Sequence, residues 1–146
     1  MLHAIVLAAL LTQDEIAKNP LVVEAQAAAN ACVAEATKPE AEQSMPDVIK
    51  YCSASAAKLE ALFPLKGSVA EGYVDLWYYD AALSRTLAGA AYRTEPGQAA
   101  AADAQFTIAT IECEFIIHDP DGLAKFKSWA GKMEDELDAL SESPKS

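Results

Sequence analysis

Histidine is almost absent from this chain, with two residues, His3 and His118, among 146. That leaves little material for a zinc site built from His and Cys ligands. There are three cysteines and no Cys-x-x-Cys pair, so a thioredoxin-like redox motif is excluded. Six glycines are scattered along the sequence, none in a phosphate-cradling loop. Positive charge is scarce: 11 Lys and Arg stand against 22 Asp and Glu, for a net charge of −11. A nucleic-acid face needs clustered Lys and Arg, and anionic lipid headgroups ask for the same, so both are disfavoured. No stretch alternates apolar and polar residues with period two between turn signals, so no sheet is expected. No Ser/His/Asp arrangement suggests a nucleophilic enzyme.

What is present is apolar and alanine-rich. Hydrophobic residues make up 52% of the chain, enough for a true core and too many for a disordered segment. Alanine loses no side-chain entropy on entering a helix and lets helices approach closely. The length suits one domain.

The first residues, MLHAIVLAALL, form an apolar run of the kind found in an export signal, too short to cross a bilayer of ~30 Å as a helix. No basic residue precedes the run and no clean Ala-x-Ala site follows it before Asp14. Ala29-Asn30-Ala31 before Cys32 resembles a cleavage site, but Asp14, Glu15, Lys18 and Glu24 would then lie inside the signal. A lipoprotein signal fails there too, because Ala29 stands where a large aliphatic residue belongs. The expectation is a short signal or apolar segment over 1–12, a helical domain over 13–141 and a polar tail over 142–146. The competing reading makes the run a first strand or helix of the domain.

Turn and cap signals then divide the chain. A short helical turn is expected over 13–18. Asn19-Pro20 can start a helix over 20–37 that buries Leu21, Ala25, Ala28 and Cys32. Ser44 caps the next, whose buried face is Val48, Cys52, Ala56, Leu59 and Phe63, with Pro64 as its stop. Ser68-Val-Ala-Glu71 reads as a full capping box opening a long helix to Arg93. Its stripe is Val69, Tyr73, Leu76, Asp80, Leu83, Leu87 and Ala91. After the Glu95-Pro96-Gly97 turn, a helix over 97–118 presents Ala102, Phe106, Ala109, Cys113, Ile116 and Ile117. A last helix over 120–140 presents Leu123, Phe126, Trp129, Met133, Leu137 and Leu140. Short links between long helices imply antiparallel neighbours, so the predicted fold is all-α, an up-down antiparallel bundle of four to five helices. A tetratricopeptide-type solenoid is disfavoured because helix lengths vary and its signature positions do not recur.

Cys32 and Cys52 stand almost equidistant from the loop at 38–45, each on the buried face of its helix. In an antiparallel hairpin such residues lie at the same height, so a disulfide is predicted. Disulfides persist in oxidising compartments. Together with the N-terminal run, this points to a periplasmic or secreted bacterial protein. Cys113 has no such partner and reads as a small buried apolar residue.

Two constellations could carry chemistry. Glu112, Glu114 and His118 cluster on one helix, but di-iron bundles need Glu-x-x-His twice with further inward carboxylates, and here no second copy exists. His118 reads more plainly as a residue near a helix C-terminus. Tyr73, Trp77 and Asp80 share a face, with Tyr78, Tyr79 and Ser84 beside them and Arg85 and Arg93 further on. The plain reading is a core helix whose polar groups are satisfied internally. The functional reading is an aromatic surface around one carboxylate, with Tyr73, Trp77, Asp80 and Arg85 as candidate binding residues. The run Glu134 to Asp138 reads as a solvated face that would also suit a basic partner.

No cofactor and no metal are implied, and no catalytic residue is assigned. The favoured expectation is a non-catalytic exported interaction protein, for which an inhibitor or immunity-type role against a basic protein would suit the charge. The alternatives are a small helical-bundle enzyme or ligand-binding protein, with a site near Tyr73, Asp80, Glu112 or His118, and a structural subunit tethered to a membrane by its N-terminus.

Overall fold

The computed structural model describes residues 10–114, which form five α-helices and two single 3₁₀ turns. The helices are α1 (Gln13–Lys18), α2 (Pro20–Ala36), α3 (Met45–Glu60), α4 (Glu71–Arg93) and α5 (Ala99–Glu114). From α2 on, each packs on its successor, and α4 is flanked by α3 on one side and α5 on the other. The chain is thus an all-α bundle, as its sequence pattern predicts. Among the described residues there is no strand, and the one isolated bridge, Lys66 to Val69, lies in a turn. The expected helix over 120–140, His118, Ile116, Ile117, the acidic run at 134–138 and the polar tail lie outside the described residues, as does most of the apolar N-terminal run.

Local chemistry sets the boundaries. Thr12 opens α1 with a reciprocal capping box: its hydroxyl accepts from the Glu15 amide while Glu15 accepts from the Thr12 amide. Asn19 both closes α1 and caps α2 through its bond from the Leu21 amide at 2.9 Å, with Pro20 in the first turn. The Gln43 amide donates to the carbonyl of Ala36 at 2.8 Å and so satisfies the end of α2 from the following loop. Ser44 caps α3 through the Asp47 amide.

The N-terminal boundary shifts. Leu11 donates its amide to the Ser68 carbonyl at 2.7 Å and packs against the core, and Thr12 is the cap of α1. The folded unit therefore reaches back at least to Leu11, inside the segment read from sequence as a signal over 1–12.

Three local expectations are corrected. The capping box at Ser68 to Glu71 is not formed: α4 begins at Glu71 after Ala70, with no side-chain cap. Ser68 is instead held in a turn, its amide on Leu65 and its carbonyl on Leu11, while Val69 is buried; Gly67 makes the turn possible at φ +92°. Burying Val69 and pairing the Ser68 carbonyl outcompete one more turn of helix. Second, α3 ends at Glu60 rather than at Phe63, and a 3₁₀ turn at Phe63–Leu65 carries Pro64. This swings the Phe63 ring to 4.1 Å from that of Tyr78.

Third, single stripes misplace several apolar residues. Leu76 is 52% exposed and Leu21 49% exposed, although both were expected inside. For Leu76 the cause is the central place of α4. Helices on two sides bury a broad arc of Val74, Trp77, Tyr78, Ala81, Ala82 and Ala88, which a one-sided stripe does not describe. On α2, Ala25 and Cys32 are buried as expected.

The core divides in three. Ile16, Leu59, Leu62, Val74 and Trp77 anchor the largest part. Cys32, Val48, Cys52, Leu87 and Ala88 form the second, and Ala82, Ala109 and Cys113 the third. Small residues dominate the last two, so backbones come close. A Cβ on Gly89 would stand 3.0 Å from the Phe106 ring and 3.1 Å from Gln105 Cβ, which shows how near α5 lies to α4. The predicted disulfide is present: Cys32 and Cys52 are bonded, with Cα atoms 4.5 Å apart. Cys113 is buried and outside any disulfide.

Candidate functional site

The aromatic segment of α4 splits between core and rim. Trp77 and Tyr78 are buried, and Trp77 has the Tyr73 ring 6.4 Å away. Tyr73 and Tyr79 are half-buried against the same core. Asp80 is half-buried and makes no hydrogen bond or ion pair among the described residues. Burial pushes its carboxyl above the usual range. Neither arginine reaches it: the Arg93 guanidinium lies over the Phe106 ring at 5.0 Å, and Arg85 is engaged elsewhere. The structure thus gathers Tyr73, Trp77 and Asp80 on one helix, with Trp77 in the core, and separates Arg85 from them.

Arg85 belongs to a polar cluster that joins three helices. From α4 it donates Nε to Glu60 Oε1 at 2.7 Å and Nη2 to Glu60 Oε2 at 2.8 Å, a two-pronged bond to the end of α3. Its Nη1 donates to Gln105 Oε1 on α5 at 3.0 Å. Because α3 and α5 both lie on α4 and scarcely touch each other, this one side chain links both flanks of the bundle. The Arg85 side chain is largely buried, so the pair is screened little by water.

Glu112 on α5 completes the cluster. It is only 4% exposed, and among the described residues no ordinary donor reaches either carboxyl oxygen. Burial, followed by the nearby Glu60 charge, pushes its carboxyl up to about 8, while Arg85 pulls the other way. A carboxyl so placed carries a proton near neutrality and can donate it to Glu60.

The sequence singled out Arg85 and Glu112 but for other reasons, and gave no sign of Glu60 or Gln105. These four residues lie on three helices, so no spacing along the chain connects them. The one available hint was a charged pair, Arg85 and Glu112, on helices otherwise rich in small apolar residues. Glu114, grouped with Glu112 in sequence, is exposed.

A second buried polar contact, Ser55 to Ser84 at 2.8 Å, ties α3 to α4. A shallow recess near the α2–α3 loop, lined by Ala36, Gln43, Met45, Val48, Leu87 and Ala91, measures about 30 Å³, room for a water or two. Among the described residues, no group of three or more His, Cys, Asp or Glu side chains is placed to hold a metal ion. None of the described helices is long and apolar enough to cross a membrane.

Acidic side chains dominate the exposed end of the α2–α3 hairpin. There Lys38 bonds Glu35 at 2.9 Å and has Asp47 and Glu42 nearby; the Glu35 bond is the main cause that raises its pKa. Glu35 thus holds the ammonium directly, and the Asp47 and Glu42 charges add to its stabilisation. No family model, no curated protein and no solved structure matches this chain.

Proposed function

We propose that this protein is an exported, non-catalytic helical interaction module that receives a basic partner. The observation that carries the reading is the charge at the end of the first hairpin, where Lys38 is paired with the largely buried Glu35 while Glu42 and Asp47 stand exposed beside it. The disulfide lies one turn from Glu35 and fixes the hairpin that displays these groups. A rigid acidic surface speeds encounter with a basic protein and selects for it. An inhibitor or immunity-type role is one form of this activity. A stable disulfide supports an oxidising compartment, periplasmic or extracellular.

The test starts in the native envelope, with chemical crosslinking to the protein and identification of the attached chain. Glu42→Lys with Asp47→Lys is then expected to weaken binding of that chain about tenfold or more at low salt and to flatten its salt dependence. Unchanged affinity in this double variant would remove the hairpin end as the docking surface.

A second reading, a small enzyme, is favoured by the buried Glu112 carboxyl, which has no ordinary donor among the described residues and whose pKa burial raises toward the range of a general acid. Loss of a measured turnover in Glu112→Gln, with partner binding intact, would select it.

A further inference from the structure

We propose that Glu60 and Glu112 form a buried proton-binding site that governs how firmly α5 packs on the rest of the bundle. This goes beyond the docking function and does not depend on it.

The argument is one of counting donors and charges. Arg85 is the cation of the cluster, and its three nitrogens are directed at other groups, Nε and Nη2 at Glu60 and Nη1 at Gln105, so that none of its N–H donors meets Glu112. Glu60 and Arg85 neutralise each other. Glu112 is then a second carboxyl, almost wholly buried, and among the described residues neither oxygen has a cation of its own or an ordinary donor. A bare carboxylate in that position is expensive, because burial removes its hydration and nothing replaces it. One proton resolves the conflict. Protonated Glu112 is neutral and becomes a donor, and Glu60 faces it as acceptor. Among the described residues the charged groups that act on Glu112 are Glu60 from α3 and Arg85 from α4; Gln105, on its own helix, is uncharged and already bonded to Arg85. Glu112 is thus the carboxyl that keeps the proton, with Glu60 as its acceptor.

The consequence is mechanical. The cluster joins α3, α4 and α5 where α3 and α5 otherwise scarcely meet. With the proton present, α5 is tied to α3 through Glu112 and Glu60 and through Gln105 and Arg85. When it leaves, two neighbouring carboxylates share one arginine, and their repulsion acts to lift α5. Small residues, Ala82 and Ala109 among them, make up much of the α4–α5 contact, so this polar link adds to what apolar packing supplies there.

Infrared spectroscopy of the whole protein tests the site directly, because a protonated carboxyl has a C=O stretch that a carboxylate lacks. That band is expected in the wild type at about pH 7 and is expected to vanish by about pH 10. It should be missing at about pH 7 in Glu112→Gln. In Glu60→Gln it should also be missing, since Arg85 then becomes the counter-ion of Glu112 and the proton is lost. This second variant, and the wild-type spectrum itself, decide the matter even if Glu112→Gln does not fold. Hydrogen-exchange protection factors give the mechanical half: those of α5 should fall with rising pH more than those of α2 and α3, and this difference should disappear in Glu112→Gln. No band in the wild type at neutral pH, a band that survives in either variant, or α5 protection that follows the hairpin's at every pH overturns the proposal.

Discussion

A buried side chain is judged by what its polar atoms find. Ser55 and Ser84 find each other, so the hydroxyl pair costs little where it stands. Removing one member leaves the other unsatisfied, whereas removing both leaves an apolar contact between small residues. Ser55→Ala or Ser84→Ala alone is therefore expected to cost about 1–2 kcal/mol, and the double variant less than the sum, in a double-mutant cycle on urea unfolding. Strict additivity would show that the hydroxyls are not coupled. Asp80 is the opposite case, a half-buried carboxyl whose pKa is raised by burial and which has no partner among the described residues. Asp80→Asn is expected to raise the melting temperature slightly at neutral pH, and the gain should fade in acid, where Asp80 is protonated anyway. Measuring partner affinity on the same variant separates the roles: intact affinity makes Asp80 a tolerated cost of the core, and lost affinity makes it part of a docking surface. A lowered melting temperature at neutral pH would mean that Asp80 has an internal partner.

Among the elements, the α2–α3 hairpin leans most on covalent help. Its inner face is built from Ala25, Cys32, Val48, Cys52 and Ala56, and alanines recover little of the entropy lost on ordering. The disulfide spans 20 residues of sequence, and the chain-entropy estimate for a loop of this size is about 3 kcal/mol. Thiol titration of the denatured, unreduced protein is expected to find one thiol, that of Cys113. Reduction is expected to accelerate exchange in α2 and α3 while α4 and the α4–α5 contact hold. Three titratable thiols, or uniform acceleration through all helices, would contradict this account. The linker into α4 shows how tertiary contacts override a local signal. Ser68 has the chemistry of a cap, but its carbonyl is taken by Leu11 and its neighbour Val69 is buried.

For the molecule as a whole, the buried carboxyls make stability a function of pH. The folded state holds Glu112 at about 8 against an ordinary 4.5, so between these values it keeps a proton that the unfolded chain releases. That stabilisation is complete below the unfolded value and is lost as pH rises through the folded one. Asp80 is shifted upward too, and its contribution has the same sign. The growing negative charge adds self-repulsion in the same direction. The urea midpoint is therefore expected to be highest in mild acid and to decline toward about pH 8, with a slope reduced by about one proton in Glu112→Gln. A midpoint that climbs over this range would show that Glu112 is ionised in the folded protein.

The sequence by itself determined the helices of the described residues, their approximate limits and the Cys32–Cys52 pairing. Each is a matter of local period, capping residues or symmetry about one loop, and all of these are written along a single stretch of chain. It also determined the acidity, since charge is only a count. What the tertiary structure alone decided is which faces are inside and which charges meet. The breadth of the buried arc on α4, and hence the exposure of Leu76, follows from two flanking helices rather than one. The meeting of Glu60, Arg85, Gln105 and Glu112 depends on the rotation and height of three helices, set by the close approach that alanines and Gly89 permit. A sequence records residues in one dimension, and a buried charge takes its pKa from neighbours that only packing brings within reach.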